Sequence, residues 1–187
     1  LTLTPACRPV YIHRDRGTMA GPMVQLYLIR HAIAEERGAA WPDDTLRPLT
    51  EDGRARMRKV AKGLVRLGVK LDVVLTSPLV RARQTAELVA AAFDGQPPIL
   101  ELPQLEPDTP YTELLDGLRK YARKKRVALV GHEPDLGVIA SRLLGTKKAL
   151  TFRKGGACLI EVGTLPPGSP GTLRWFATPA MLRAIRK

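Results

Sequence analysis

The chain holds three histidines, His13, His31 and His132, and the last two stand where they could do chemistry. His31 follows Arg30 directly behind the apolar run 24–29, and His132 follows Gly131 directly behind the apolar run 127–130. A third feature, Ser77 to Arg81, comes directly behind residues 72–76 (DVVLT). Arginine is rarely buried without a partner, so an Arg-His pair at the end of an apolar run is unusual. The forked guanidiniums of Arg30 and Arg81 match phosphate oxygens. A neutral imidazole beside them can attack phosphorus and carry it as a covalent phosphohistidine. A second imidazole, when protonated, would stabilise charge on the phosphoryl oxygens. Each residue also has a plainer reading. A lone histidine at a strand end is most often a satisfied polar residue, Arg81-Ala82-Arg83 can be a solvated helix face, and His132 can simply cap a helix. Two histidines without a clustered carboxylate or thiolate give weak spacing for a metal, so no metal or other cofactor is expected.

These residues can cooperate only if the elements before them end at one edge. Residues 24–29, 72–76 and 127–130 read as short buried strands, with residues 99–102 as a further short strand. Thr50 reads as the cap of a helix whose first turn carries Glu51 and Asp52. Met57, Val60, Ala61, Leu64 and Leu67 recur at helical spacing as its buried stripe, and Gly68 ends it. Ser77-Pro78 reads as the start of a second helix running to about Ala92, with Ser77 as the cap and Pro78 at the first position. Arg81 then falls in a first helical turn, where free N–H groups and the helix dipole favour an anion. Residues 111–122 and 134–144 read as helices, and residues 157–162 and 173–177 as two closing strands joined by a Pro/Gly-rich loop. Pro179 opens a last short helix. Strands alternating with helices predict a three-layer α/β fold, a mostly parallel central sheet flanked by helices. Ligands of such sheets bind at the carboxyl ends of the strands, where all three features lie.

Composition narrows the partners. The chain has 187 residues, and 30 Lys and Arg against 18 Asp and Glu leave +12. A chain of this size can bury roughly 70% of its unfolded surface without a disulfide or metal. Hydrophobic residues at 44% and charged residues at 26% exclude disorder as the main state. No apolar run approaches the ~18–20 residues of a membrane span. The excess of cations predicts attraction to an anion. Nucleic acid fits poorly, because aromatics are only 5% and no helix-turn-helix, zinc-finger or RNP-like motif is present. The cations spread through residues 54–62, 119–126 and 142–154 as solvated faces. Cys7 and Cys158 read as two free thiols in a reducing, cytoplasmic setting. Residues 1–22 lack hydrophobic periodicity and a signal-peptide h-region, and read as a poorly structured N-terminal extension ahead of a domain over 23–187. Met19 and Met23 would each make a natural start.

The blocks carrying these residues resemble the histidine phosphatase (phosphoglycerate mutase-like) superfamily. Leu28-Ile29-Arg30-His31-Ala32 resembles its Arg-His signature, with Ala32 where glycine is most usual. Residues 47–53 (RPLTEDG) match its R-P-L-T-x-x-G block, residues 76–86 (TSPLVRARQTA) its S-P-x-x-R-A-x-Q-T block, and residues 130–134 (VGHEP) its second-histidine block. Within the superfamily the chain is most similar to SixA-type phosphohistidine phosphatases, by its shortness, by residues 102–107 (LPQLEP) and by residues 175–182 (WFATPAML).

The resemblance implies a metal-independent hydrolase. His31 would be the nucleophile, Arg30 and Arg81 would bind the phosphoryl group, and His132 would hold the transferring oxygens. Water would then release inorganic phosphate. The superfamily commonly supplies an acid after the second helix; here that position falls at Gln104, which cannot donate as an acid, and Glu106 and Asp108 stand nearby as substitutes. Imidazole, with a reference pKa of ~6.5, leaves more readily than an alkoxide, so cleavage of a P–N bond asks less of such an acid. Little chain separates the second helix from His132, so no extended lid is expected. An open site suits a phosphohistidine displayed by a partner protein. A small phosphorylated metabolite is the second reading, and a basic polyanion-binding module with a vestigial site the third. The length suggests a monomer.

Overall fold

The computed structural model describes residues 23–186. The expected extension over 1–22, with Cys7 and His13, lies outside the described residues. The elements run β1 (Val24–Arg30), α1 (Glu51–Arg66), β2 (Val73–Thr76), α2 (Val80–Ala90), β3 (Ile99–Glu101), α3 (Tyr111–Leu118), β4 (Arg126–Gly131), α4 (Asp135–Leu144), β5 (Ala157–Val162), β6 (Thr172–Ala177) and α5 (Pro179–Ala184). Single 3₁₀ turns stand at Asp44–Leu46, Pro103–Leu105 and Arg119–Tyr121.

The sheet order is β3-β2-β4-β1-β5-β6. The pairs β2–β3, β2–β4 and β1–β4 are parallel, and β1–β5 and β5–β6 are antiparallel. The sheet is thus mixed and mostly parallel, as the sequence predicts. Alternation of side chains along β1 explains its continuous apolar run. Tyr27 and Ile29 face the core shared with α1, α2 and α5, while Val24, Leu26 and Leu28 face the core shared with α3 and α4. Both faces are covered, and the one polar residue of the run, Gln25, is half-buried and satisfied, donating to Glu161 Oε1 at 3.3 Å and accepting from the Tyr27 hydroxyl at 2.8 Å. Each fully buried aliphatic side chain contributes roughly 1.5–3 kcal/mol, which is what holds the central strand in register. Cys158 lies in β5 opposite Leu28, fully buried and free; burial pushes its thiol up to about 12.

Three local expectations need correction. Ser77 does not cap the second helix. α2 begins at Val80 with Leu79 as its cap residue, because the chain runs extended past Pro78 and Ser77 is turned to another task described below. Leu67, expected in the buried stripe of α1, is 43% exposed, since it falls just past the last helical residue and the chain turns away at Gly68 with φ +82°. The helix expected over 111–122 is α up to Leu118 and then tightens into a 3₁₀ turn.

The other signals act as predicted. The Thr50 side chain accepts from the N–H of Gly53 at 2.9 Å and caps α1. Thr178 caps α5 with Pro179 at the first position. The cations of the three basic stretches are exposed or half-buried. No helix among the described residues is long and apolar enough to cross a membrane.

Candidate active site

Strand pairing places the two histidines side by side. β1 and β4 run parallel in register from Gln25↔Arg126 to Arg30↔Gly131, so His31 and His132 are the next residues beyond the same rung. The N–H of His31 donates to the Gly131 carbonyl at 3.1 Å, extending that ladder by one bond. The two rings lie 5.2 Å apart between centroids. β2 ends alongside, where the N–H of Ser77 donates to the Val130 carbonyl at 3.0 Å. The three features predicted to meet at one edge do meet there. His31, Arg81 and His132 are nearly fully buried, at 6, 2 and 4% exposure.

Around them opens a groove of about 570 Å³, lined among others by Arg30, His31, Arg47, Arg81, Asp108 and His132. Its buried polar atoms are incompletely paired. Arg30 donates through Nη1 to the Phe152 carbonyl at 2.6 Å. Arg81 donates through Nη1 to the Asp44 carbonyl at 2.7 Å and meets the Asp44 carboxylate through Nη2 at 3.0 Å. Arg30 Nε, Arg81 Nε and His132 Nδ1 are buried and have no partner among the described residues. Buried polar groups are nearly always satisfied, so the two guanidinium Nε–H groups require acceptors beyond these side chains, from water or from a ligand. An oxyanion would supply them.

The ring of His31 is set by its own backbone. Nδ1 lies 2.7 Å from the Ala32 carbonyl oxygen, which can only accept, so the proton sits on Nδ1 and Nε2 keeps its lone pair. Burial, and then the neighbouring His132, push the His31 pKa down to about 3; the Ala32 bond opposes the fall, and Arg81 and Arg30 add to it. His132 is likewise held at about 3, by burial and then by Arg81 against the opposing charge of Asp44. Both shifts favour the neutral rings, and a phosphoryl dianion beside His132 would act in the opposite sense. His132 Nε2 lies 2.9 Å from Ser77 Oγ. That oxygen also accepts from the N–H of Leu79 at 3.3 Å; in the tautomer in which Ser77 donates to Nε2, Nδ1 carries the ring N–H.

Several residues outside the sequence-predicted set complete the frame. Asp44 pairs with Arg81, with Arg47 at 2.8 Å and with Arg37 at 3.1 Å. Burial would raise its carboxyl, but the bond to Arg47 and the charges of Arg81, Arg47 and Arg37 outweigh it and hold the pKa below the ordinary carboxylate range. Phe152 offers its carbonyl to Arg30 while its N–H donates to Glu133 Oε1 at 2.7 Å. The N–H of Gly155 is shared between the carbonyls of Arg30 and His31 at 3.2 and 3.1 Å. Gly155 sits at φ +79°, a conformation glycine adopts without strain. Thr85 Oγ1 accepts from the N–H of Ala32 at 3.0 Å, and Gln84 Oε1 from that of Leu49 at 2.8 Å, so α2 clamps the loop behind His31. Of these, Ser77, Arg47, Gln84 and Thr85 lie inside the quoted sequence blocks, whereas nothing in the sequence marks Asp44 or Phe152.

The two substitutes for the acid part ways. Asp108 lines the groove; it is exposed, at φ +63°, with its N–H donating to Asp135 Oδ2 at 3.3 Å. Glu106 does not line the groove. It borders a smaller neighbouring cavity with Gln104, Tyr111 and His132. The Gln104 amide lies against Gly117 of α3. Among the described residues, no group of three or more His, Cys, Asp or Glu side chains is placed to hold a metal ion.

A strand-end Arg-His pair and a second histidine meet at one edge of a mixed sheet covered by helices on both faces, in an α/β protein. The chain belongs to the histidine phosphatase superfamily (branch 1), whose family description matches residues 26–106. It is 40% identical over 144 residues to an uncharacterized protein of Picosynechococcus sp., covering 75% of this chain and 86% of that one. It is 26% identical over 165 residues to the phosphohistidine phosphatase SixA of Escherichia coli strain K12, covering 87% and 99%. A solved structure of the protein histidine phosphatase SixA complexed with tungstate superposes with a TM-score of 0.73 at 25% identity, covering 84% of this chain and 98% of that one.

Proposed function

We propose that the protein removes phosphoryl groups from phosphohistidine on a partner protein, through a phosphoenzyme at His31. The observation that carries the reading is the committed tautomer of His31: Nδ1–H is bound to Ala32, so Nε2 is a neutral lone pair in a groove ringed by unpaired N–H groups. Nε2 attacks phosphorus, the P–N bond to the substrate imidazole breaks, and the departing ring takes a proton from solvent or from a groove acid such as Asp108. Arg30, Arg81 and the Nδ1–H of His132 hold the phosphoryl oxygens as charge gathers on them. Water then attacks phosphorus, the P–Nε2 bond breaks, and inorganic phosphate leaves with His31 restored.

The same four residues would serve a small phosphorylated metabolite. The open groove and the modest demand on an acid favour a phosphoimidazole presented on a protein surface. The scheme has a protein donor for each developing charge, so activity is expected to survive excess chelator; loss that zinc or magnesium restores would remove it.

The test is incubation with a phosphorylated histidine donor and, separately, an aryl phosphate. The expected result is an acid-labile, base-stable phosphoenzyme, absent in His31→Ala, and faster turnover of the phosphohistidine donor. Faster turnover of alkyl phosphates would overturn the substrate assignment. Persistence of the phosphoenzyme in His31→Ala would overturn the nucleophile.

A further inference from the structure

A second cavity of about 290 Å³ backs onto the phosphate groove. Its floor is apolar, built from Ala32, Met57 and Val60, with Pro179 of α5 alongside. Its cations come from three separate elements: Arg56 of α1, Arg153 and Lys154 of the loop before β5, and Arg183 of α5. No acidic residue lines it. Arg56 is already tied to Asp52 at 2.7 Å, but Arg153, Lys154 and Arg183 make no ion pair among the described residues. The two cavities share lining. Ala32 lines this one and His31 the groove, and Lys154 borders both.

A sink of uncompensated positive charge over a greasy floor fits an acidic side chain with a short apolar stem. The cavity shares Lys154 with the groove, and the residue next to His31 in the chain lines it, so that side chain can belong to the molecule that delivers the phosphoryl group. We propose that this cavity seats a glutamate or aspartate flanking the phosphohistidine of the partner protein, and so selects the partner. The assignment rests on the phosphohistidine reading above and adds the sequence context that the site prefers. Part of the large positive charge thereby has a definite address, beyond a diffuse attraction.

The test uses short peptides carrying a non-hydrolysable phosphohistidine analogue, with Glu or its Gln twin at each position within three residues on either side. Binding is read by fluorescence anisotropy. At one register the wild-type protein should bind the Glu peptide roughly fivefold more tightly than its Gln twin, a preference that fades with salt. The double variant Arg153→Gln/Arg183→Gln should erase that preference while aryl phosphate turnover stays within about twofold of wild type. No register at which Glu wins would overturn the proposal. So would a double variant that keeps the preference, or one that weakens both peptides alike. Turnover of the corresponding true phosphohistidine peptides separates the two readings. A Glu preference without hydrolysis removes the phosphatase assignment and leaves the acidic subsite standing; hydrolysis without a Glu preference does the reverse.

Discussion

Ser77 and His132, the residues directly after β2 and β4, meet at 2.9 Å between Oγ and Nε2, and that contact leaves Nδ1 as the ring nitrogen without a partner among the described residues. Ser77→Ala leaves Nε2 without its partner and the ring free to change tautomer. We expect kcat to fall about tenfold to a hundredfold with KM changed less, the mark of a group used mainly in the transition state. Stability should fall by only about 1 kcal/mol, the worth of one buried hydrogen bond. An unchanged kcat would show that His132 is oriented by something else.

Arg81 has two duties. Its terminal nitrogens serve Asp44, its Nε has no partner among the described residues, and in the proposed reaction the same guanidinium holds a phosphoryl oxygen. Arg81→Lys keeps the charge but offers one nitrogen for both. A loss of roughly a hundredfold in kcat/KM is expected, because a lysine cannot reproduce the fork. A kcat/KM within about twofold of wild type would show that charge alone suffices.

The pH dependence has opposite consequences for activity and stability. Both histidines have folded pKa values of about 3, below their ordinary 6.5. The proposed nucleophile thus stays neutral on acidification, and kcat/KM should show no inflection near pH 6.5 from His31. The unfolded chain, however, takes up those protons as pH falls below about 6.5 while the folded chain does not. Stability is therefore whole above pH 6.5 and drains away as pH drops toward 3, by up to about 1.4 kcal/mol per pH unit for each ring. Denaturant melts at pH 7, 6 and 5 check this; equal midpoints would contradict the burial argument.

Gly137 of α4 is a packing requirement. A Cβ there would overlap the carbonyl oxygen of Leu150, two residues before the Phe152 that accepts from Arg30. Gly137→Ala should destabilise by about 2–3 kcal/mol, lowering Tm by roughly 5–10 °C, and should lower kcat/KM through Arg30. Gly163→Ala, whose new Cβ meets nothing within 4 Å, is the control and should change neither. Equal melting temperatures for the two variants would remove the packing argument.

The fold was legible because its signals are local. Apolar runs buried on both faces announced β1, β2 and β4, and caps such as Thr50 announced the helices. Strand ends then gave Arg30, His31, Arg81 and His132, since parallel strands of one sheet finish on one edge. Asp44 and Phe152 were not legible. Asp44 acts from an irregular loop, and Phe152 acts through its backbone, which any residue would offer. Ser77 was misread because serine before proline is a strong helix-start signal, and here the tertiary partner His132 outweighs it. The pairing of Lys154 with both cavities depends on long-range packing that no window of sequence contains.

β1 lies between β4 and β5, and both partners come late in the chain: β4 begins at Arg126 and β5 at Ala157. During synthesis the segment VQLYLI leaves the ribosome roughly 5–20 seconds before the first residue that can pair with it, at ordinary elongation rates of about 5–20 residues per second. Throughout that interval it is an unpaired apolar strand of the kind that seeds aggregates. The first charge to follow it is Arg30, so the residue proposed to hold phosphate would also guard the nascent chain at this exposed stretch.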